Sequence, residues 1–295
     1  MTDLPDATPP GMTEIASAAL RVRVADLGAE MQSLTDADGR EFLWDGQEAW
    51  WSGRAPILFP IVGRAPEDVI SVGGAQAEMK QHGFARRAVF DLVEATAQRV
   101  VHRLTDSAET RAVYPRAFAL TVTHEVTEAT LHVSAQVANT GDLDLPFGFG
   151  FHPAFRWPLP GAGGAHRLIL DNGGEPALAR LRDGLLQEAR MPSPFRLGQL
   201  WLDPALFEAD AMIFPEGAGA GLTYRAETGP ALRFAFDNAP FLGIWQKPGA
   251  PFICIEPWHG MAARQGAGPE IEARPGTVTL APGDSARFGY SVTIA

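Results

Sequence analysis

Cysteine is nearly absent: Cys254 is the only one in 295 residues. That rules out an internal disulfide and a cysteine-rich zinc site. Basic charge is also in deficit, with 24 Lys and Arg against 35 Asp and Glu, a formal net charge of −11. A nucleic-acid binder needs a basic footprint, and an anionic membrane surface attracts one, so neither is expected as a partner. No uncharged apolar run is long enough for a membrane helix. The start, MTDLPDATPPGMTEIAS, has acidic residues and prolines in place of a basic segment and an apolar run. It does not read as a secretory leader, and the cytoplasm is the expected compartment. Also missing are a phosphate-binding GxxxxGK[ST] loop, a strand–GxGxxG–helix unit, HExxH and GxSxG. No repeat of fixed period and no long low-complexity linker divides the chain.

Hydrophobic residues make up 46% and charged residues 20%, the balance of a packed globular chain. The 31 glycines and 24 prolines suit many short strands joined by turns better than long helices. Leu20, Val22 and Val24 alternate with Arg21, Arg23 and Ala25, a half-buried strand. Phe118, Leu120, Val122 and Val126 share one parity, and Leu131, Val133, Ala135 and Val137 another. The polar link Thr127–Thr130 makes these two runs a hairpin. Further strands are expected at 88–93, 99–104, 167–170, 212–215, 221–225, 231–236, 252–255, 277–280 and 286–294. Helical signal is thin: only 203–210 offers a turn or two, with Asp203 as cap and Pro204 in first position. Residues 159–164 read as a loop. The expectation is an all-β, large antiparallel sandwich over residues 12–295, preceded by a loose tail over 1–11.

Three histidines sit in segments otherwise rich in aromatics, glycine or proline. These are Lys80-Gln81-His82-Gly83-Phe84-Ala85-Arg86, Gly148-Phe149-Gly150-Phe151-His152-Pro153-Ala154-Phe155 and Ile253-Cys254-Ile255-Glu256-Pro257-Trp258-His259-Gly260. Strand parity puts Phe147, Phe149 and Phe151 on a core face and Gly148, Gly150 and His152 on the other. Absent side chains open space above a sheet, where a ligand can approach the backbone. The bland alternative is a hydrogen-bonded histidine on a crowded face. Glu256 ends an apolar strand, where a carboxylate is costly to bury without a partner and its pKa tends upward. That suits a general acid or base, although a structural carboxylate is the competing reading. Cys254, flanked by Ile253 and Ile255, reads as a small buried hydrophobe. His102, His124 and His132 lie in ordinary strands and read as structural or surface residues. Glu256, His152, His82 and Arg64 together suggest a polar sugar pocket, with Trp245, Phe84 and Trp258 as candidate aromatic walls. His259 is open between a site and a surface position.

The ordered set of blocks resembles the aldose 1-epimerase (mutarotase) superfamily, in particular its shorter bacterial aldose 1-epimerase-like branch. The blocks are Leu27-Gly28-Ala29-Glu30-Met31-Gln32-Ser33-Leu34, Glu41-Phe42-Leu43-Trp44, the run from Pro56 to Arg64, Gln81–Arg86, Gly150–Phe155, Leu242-Gly243-Ile244-Trp245 and Cys254–Gly260. The resemblance implies a galactose mutarotase-like supersandwich acting on a sugar without cofactor or metal, as a monomer or homodimer. It implies Glu256 as general base toward the anomeric hydroxyl and His152 as general acid toward the ring oxygen, with the carboxylate ionised and the imidazole protonated in the productive state. It further implies sugar contacts from His82, Arg64 and Asp210, with Asp203 a nearby competitor for the last role. Galactose mutarotases proper carry an Asn-Arg-Ile pattern where this chain has Gly63-Arg64-Ala65-Pro66, and they differ again at Pro153-Ala154-Phe155. These departures leave the sugar unassigned. Arg86 and Arg87 offer a start for a phosphate patch, so a hexose-6-phosphate 1-epimerase is one alternative, and a non-catalytic carbohydrate-binding protein is another.

Overall fold

The structure is a computed structural model, and it describes residues 11–295. The expected tail lies outside them except for Gly11. Nine antiparallel strands form one sheet, in the order Gln199–Trp201, Gly163–Leu170, Gly221–Thr228, Ala231–Asp237, Ser285–Ile294, Thr130–Asn139, Phe118–Thr127, Arg99–Thr105 and Asp91–Ala95. A second sheet runs Met212–Phe214, Phe241–Trp245, Phe252–His259, Phe149–Phe151 and Ile57–Leu58, with Ala154–Arg156 also paired to Phe252–His259. A small sheet of Met12–Ala16, Leu20–Ala25 and Met31–Asp36 adds a further face.

Alternation drives the packing. The long central strands bury every second residue, as at Leu120, Val122 and Val126, and at Leu131, Val133 and Val137. The two larger sheets meet through aromatics: Phe149 stacks on Phe288 at 4.9 Å, Phe151 meets Tyr290 at 5.0 Å, and Phe155 meets Phe234 at 5.1 Å. One core cluster extends from Ile15 to Val292. The expected β-sandwich is therefore the observed architecture.

Several boundaries move. Thr127 pairs with Thr130, so the hairpin turns on Glu128 and Ala129 alone, with Glu128 at φ +51°. The strand expected at 88–93 is Asp91–Ala95, an exposed edge strand whose apolar residues do not mark a buried face. Gly163 and Gly164 belong to a strand and not to the loop expected there. The strand expected at 252–255 continues to His259, because the site residues following Ile255 stay in the ladder. Residues 203–210 give a single 3-10 turn, Pro204–Phe207, and the Asp203 side chain accepts the Ala205 amide hydrogen as a cap. A helix, Ala108–Val113, was not expected. It is short, buries no residue and has no apolar face to announce it, but Ser107 and Thr110 close a reciprocal capping box. Among the described residues, no helix is long and apolar enough to cross a membrane.

Candidate active site

The face of the second sheet turned away from the nine-stranded sheet carries a cavity of about 340 Å³. Strand Phe252–His259 supplies Glu256 and Trp258 to it, two residues apart and so on one face. Gly243 lies opposite Glu256 in the neighbouring strand, and Gly150 opposite Trp258 in the next. A β-carbon on Gly243 would stand 2.4 Å from the Trp258 ring, and one on Gly150 would stand 2.5 Å from it. The two glycines thus let the Trp258 indole lie flat across the sheet beside Glu256. The space expected over Gly150 is filled by this indole and not by a ligand.

His152 follows strand Phe149–Phe151 directly, so its side chain enters the same cavity. Its Nε2 is 3.2 Å from Glu256 Oε2, and both side chains are nearly sealed from bulk water. Three rings surround the imidazole: Trp51 at 4.9 Å and tilted 30°, His82 at 5.5 Å edge-on, and Trp245 at 5.9 Å edge-on. Burial pushes the Glu256 carboxyl well above its ordinary range, and the nearby Asp210 carboxylate adds to this. Burial pushes the His152 imidazole well below its ordinary range, with His82 and Arg86 beside it acting in the same direction. This environment favours a neutral carboxylic acid against a neutral imidazole. The ionised Glu256 and protonated His152 expected in the productive state are the opposite placement of the same proton.

His82 reaches the cavity from a left-handed residue, φ +67°, followed by Gly83 at φ +70°. A side chain on Gly83 would collide with the Phe59 carbonyl at 2.1 Å, so this turn requires glycine. His82 and Gly63 hold each other: the His82 amide donates to the Gly63 carbonyl at 3.0 Å, and the Gly63 amide donates to His82 Nδ1 at 3.1 Å. An imidazole whose Nδ1 accepts carries its proton on Nε2, which makes His82 a neutral donor. Burial and the Arg86, Arg87 and Arg274 charges agree, holding its pKa down at about 3. Arg86, on the 3-10 turn Ala85–Arg87, lines the cavity, and its guanidinium has no hydrogen-bond partner among the described residues, with Glu30 and Glu256 as its carboxyl neighbours. Asp210, at φ +64°, also lines the cavity.

Seven expected site residues thus line one cavity: Glu256, His152, His82, Asp210, Trp245, Trp258 and Arg86. Three others do not. The Arg64 guanidinium is exposed and grips Asp68 four residues on, with contacts of 2.7 and 2.8 Å, and it donates to the Asp183 carbonyl. The cation at the cavity is Arg86 in its place. Phe84 packs into the core against Phe59, Tyr114 and Phe118. His259 has the opposite strand parity to Trp258, so its ring turns to Phe288, while its Nδ1 is 3.0 Å from the Asn238 carbonyl oxygen. Sequence reasoning missed Trp51 and Gln81. Gln81 stands next to His82 in a block already singled out. Trp51 could have been flagged only by the adjacent tryptophans of Ala49-Trp50-Trp51-Ser52-Gly53.

His152, Cys254 and Glu256 each bring a potential donor atom within 4.8 Å of the others. Cys254 is fully buried among Trp44, Ala154 and Phe252, as a small apolar residue would be. Burial pushes its thiol well up.

A buried carboxyl and imidazole are thus in contact, with a neutral histidine donor, a guanidinium, a carboxylate and tryptophan faces around them. The sequence profile of the Aldose 1-epimerase family matches residues 12–265. The chain belongs to that family. Among curated relatives, the chromosomally encoded protein LacX of Lactococcus lactis is 30% identical over 297 residues, covering 95% of this chain and 98% of LacX. A galactose mutarotase related enzyme from Lactobacillus acidophilus superposes with a TM-score of 0.91 at 31% identity, covering 96% of this chain and 97% of that one. A galactose mutarotase-like protein from Lactobacillus casei gives 0.89 at 28% identity, with 97% and 100% covered. This member of the aldose 1-epimerase family therefore matches those proteins over essentially their whole length.

Proposed function

We propose that the protein is an aldose 1-epimerase, interconverting the α and β anomers of an aldose at the Glu256–His152 cavity. The observation that carries the reading is the 3.2 Å contact between these two groups on the wall of a sugar-sized cavity. Ring opening removes the proton from the C1 hydroxyl, forms the C1 carbonyl, breaks the bond from C1 to the ring oxygen and delivers a proton to that oxygen. Rotation about C1–C2 presents the other carbonyl face, and the steps run backward. No atom is gained or lost and nothing is oxidised.

The two reacting oxygens share C1, so one adjacent acid–base pair can serve both without flanking the ring. The pair holds a single exchangeable proton. With the proton on the imidazole, Glu256 takes the C1 hydroxyl proton and His152 donates to the ring oxygen. Transfer then leaves a carboxylic acid and a neutral imidazole, the arrangement that burial favours. Hydrogen bonds from a bound sugar would draw the proton back to the imidazole. His82 and Arg86 donate to sugar oxygens, Asp210 accepts from hydroxyls, and Trp258 and Trp245 offer apolar faces to the ring.

The uncommitted Arg86 guanidinium favours a second reading, a phosphorylated aldose as substrate. Anomer-resolved NMR or polarimetry on a panel of free and phosphorylated aldoses decides between them. The first reading predicts faster mutarotation of free sugars, and the second predicts it of the phosphates alone. Binding without acceleration of any sugar would overturn both in favour of a sugar-binding protein.

A further inference from the structure

Arg180 lies outside the cavity, yet the residues on either side of it help build that wall. Leu181 lines the cavity, and Ala179 exchanges both backbone hydrogen bonds with Ile213, at 2.8 and 3.2 Å. The Arg180 side chain therefore starts beside strand Met212–Phe214 and reaches the turn that precedes it. There Nη1 donates to the Asp210 carbonyl at 2.6 Å, with the Ala211 and Ala209 carbonyls at 3.3 and 3.4 Å, and Nη2 donates to Leu206 at 3.0 Å. Four carbonyls of one turn converge on one planar cation. They include the end of the 3-10 turn Pro204–Phe207, where carbonyls have no continuing ladder to accept from.

The turn has a geometric task. Asp210 occupies the left-handed region, φ +64°, a conformation that residues with a β-carbon adopt only under local constraint. Its own amide makes one bond to the turn, to the Phe207 carbonyl at 3.0 Å. The Leu206 and Glu208 amides donate to the Asp203 and Ala205 carbonyls at 3.0 and 3.4 Å, and the side-chain ties of the segment run to Arg180. Without them, the carbonyls of 206–211 are free to turn to water, and the chain can leave the conformation that puts the Asp210 carboxylate on the cavity wall.

We propose that Arg180 is a positioning residue that locks the 206–211 turn and so delivers Asp210 to the sugar. The consequence for affinity rests on the aldose reading of the cavity, but the locking itself does not. A lysine keeps the charge but has a single point of attachment, so it cannot bridge Leu206 and Asp210 as the guanidinium fork does.

The test combines a double-mutant cycle with a measurement that needs no sugar. Wild type, Arg180→Ala, Asp210→Ala and the double variant are compared for affinity toward a free aldose, read by fluorescence of the cavity tryptophans, and for anomer exchange at saturating sugar. Arg180→Ala is expected to weaken affinity about tenfold while the saturated rate stays within about twofold, and to add nothing once Asp210 is gone. Arg180→Lys is expected to fall between wild type and Arg180→Ala. Separately, amide hydrogen exchange across 206–211 should speed up at least about tenfold in Arg180→Ala, while the nine-stranded sheet is unchanged. Unaltered exchange in that segment overturns the proposal, and so do fully additive losses in the cycle. If the wild type binds no aldose, the function reading fails by itself, and the exchange measurement still decides whether Arg180 holds the turn.

Discussion

At the scale of single residues, the site is defined by what burial does to two groups. The Glu256 carboxyl is raised and the His152 imidazole lowered, each chiefly by loss of water. A raised acid is uncharged in the fold where it would be ionised in the unfolded chain, so its contribution to stability fades as pH climbs above about 4.5. Glu256→Gln removes that penalty. The variant should melt higher than wild type at pH 8, with a smaller gain at pH 5, in a calorimetric series. Trp51 caps the imidazole, so Trp51→Ala should admit water and bring the His152 titration midpoint back up toward 6.5, as followed by histidine ring NMR. Arg64 and Arg86 make a sharper pair. Arg64→Ala removes a solvent-exposed clasp on Asp68 and should leave sugar affinity within about twofold. Arg86→Met removes a cation from the cavity wall and should cost at least about tenfold in affinity, about 1.4 kcal/mol or more.

Elements decide which side chains meet, and this is where reading the sequence worked best and then stopped. Period-two alternation exposed the long strands, and parity separated Phe149 and Phe151 from His152 correctly. The same rule applied beyond Ile255 would have placed Glu256 and Trp258 together and turned His259 away, but the strand was expected to end too early. Arg64 illustrates a different limit. A family resemblance transfers residue type and order, whereas the direction of a side chain depends on a neighbour such as Asp68. Trp51 and Arg180 were not legible because each acts across a loop on partners far away in the chain; a neighbouring tryptophan is the one local mark of Trp51, and Arg180 has none. The glycines show how tightly elements are matched. Gly243→Ala would drive a methyl into the Trp258 ring, so a loss of about 1–3 kcal/mol is expected in urea unfolding, together with weaker sugar binding.

Across the whole molecule, buried histidines set the response to acid. Burial lowers His82 and His124 to about 3 and holds His152 well below its usual value. Between pH 6.5 and about 3 the unfolded chain takes up protons that the fold refuses, so stability is intact above 6.5 and declines as pH falls. Each such group contributes up to about 1.4 kcal/mol per pH unit. Urea midpoints measured from pH 7 to 4 should fall steeply, and His124→Gln, deep in the nine-stranded sheet and far from any proposed chemistry, should flatten the slope by one proton. A slope unchanged by that substitution would show that His124 titrates alike in both states.

The acid–base pair is tested most directly by two-dimensional exchange NMR of a turned-over aldose, comparing wild type with Glu256→Gln at saturating sugar. The account predicts α–β cross-peaks that build up rapidly with wild type and about 10²–10⁴ times more slowly with the variant, which still binds the sugar and unfolds cooperatively. Cross-peaks growing at the wild-type rate in Glu256→Gln would contradict it.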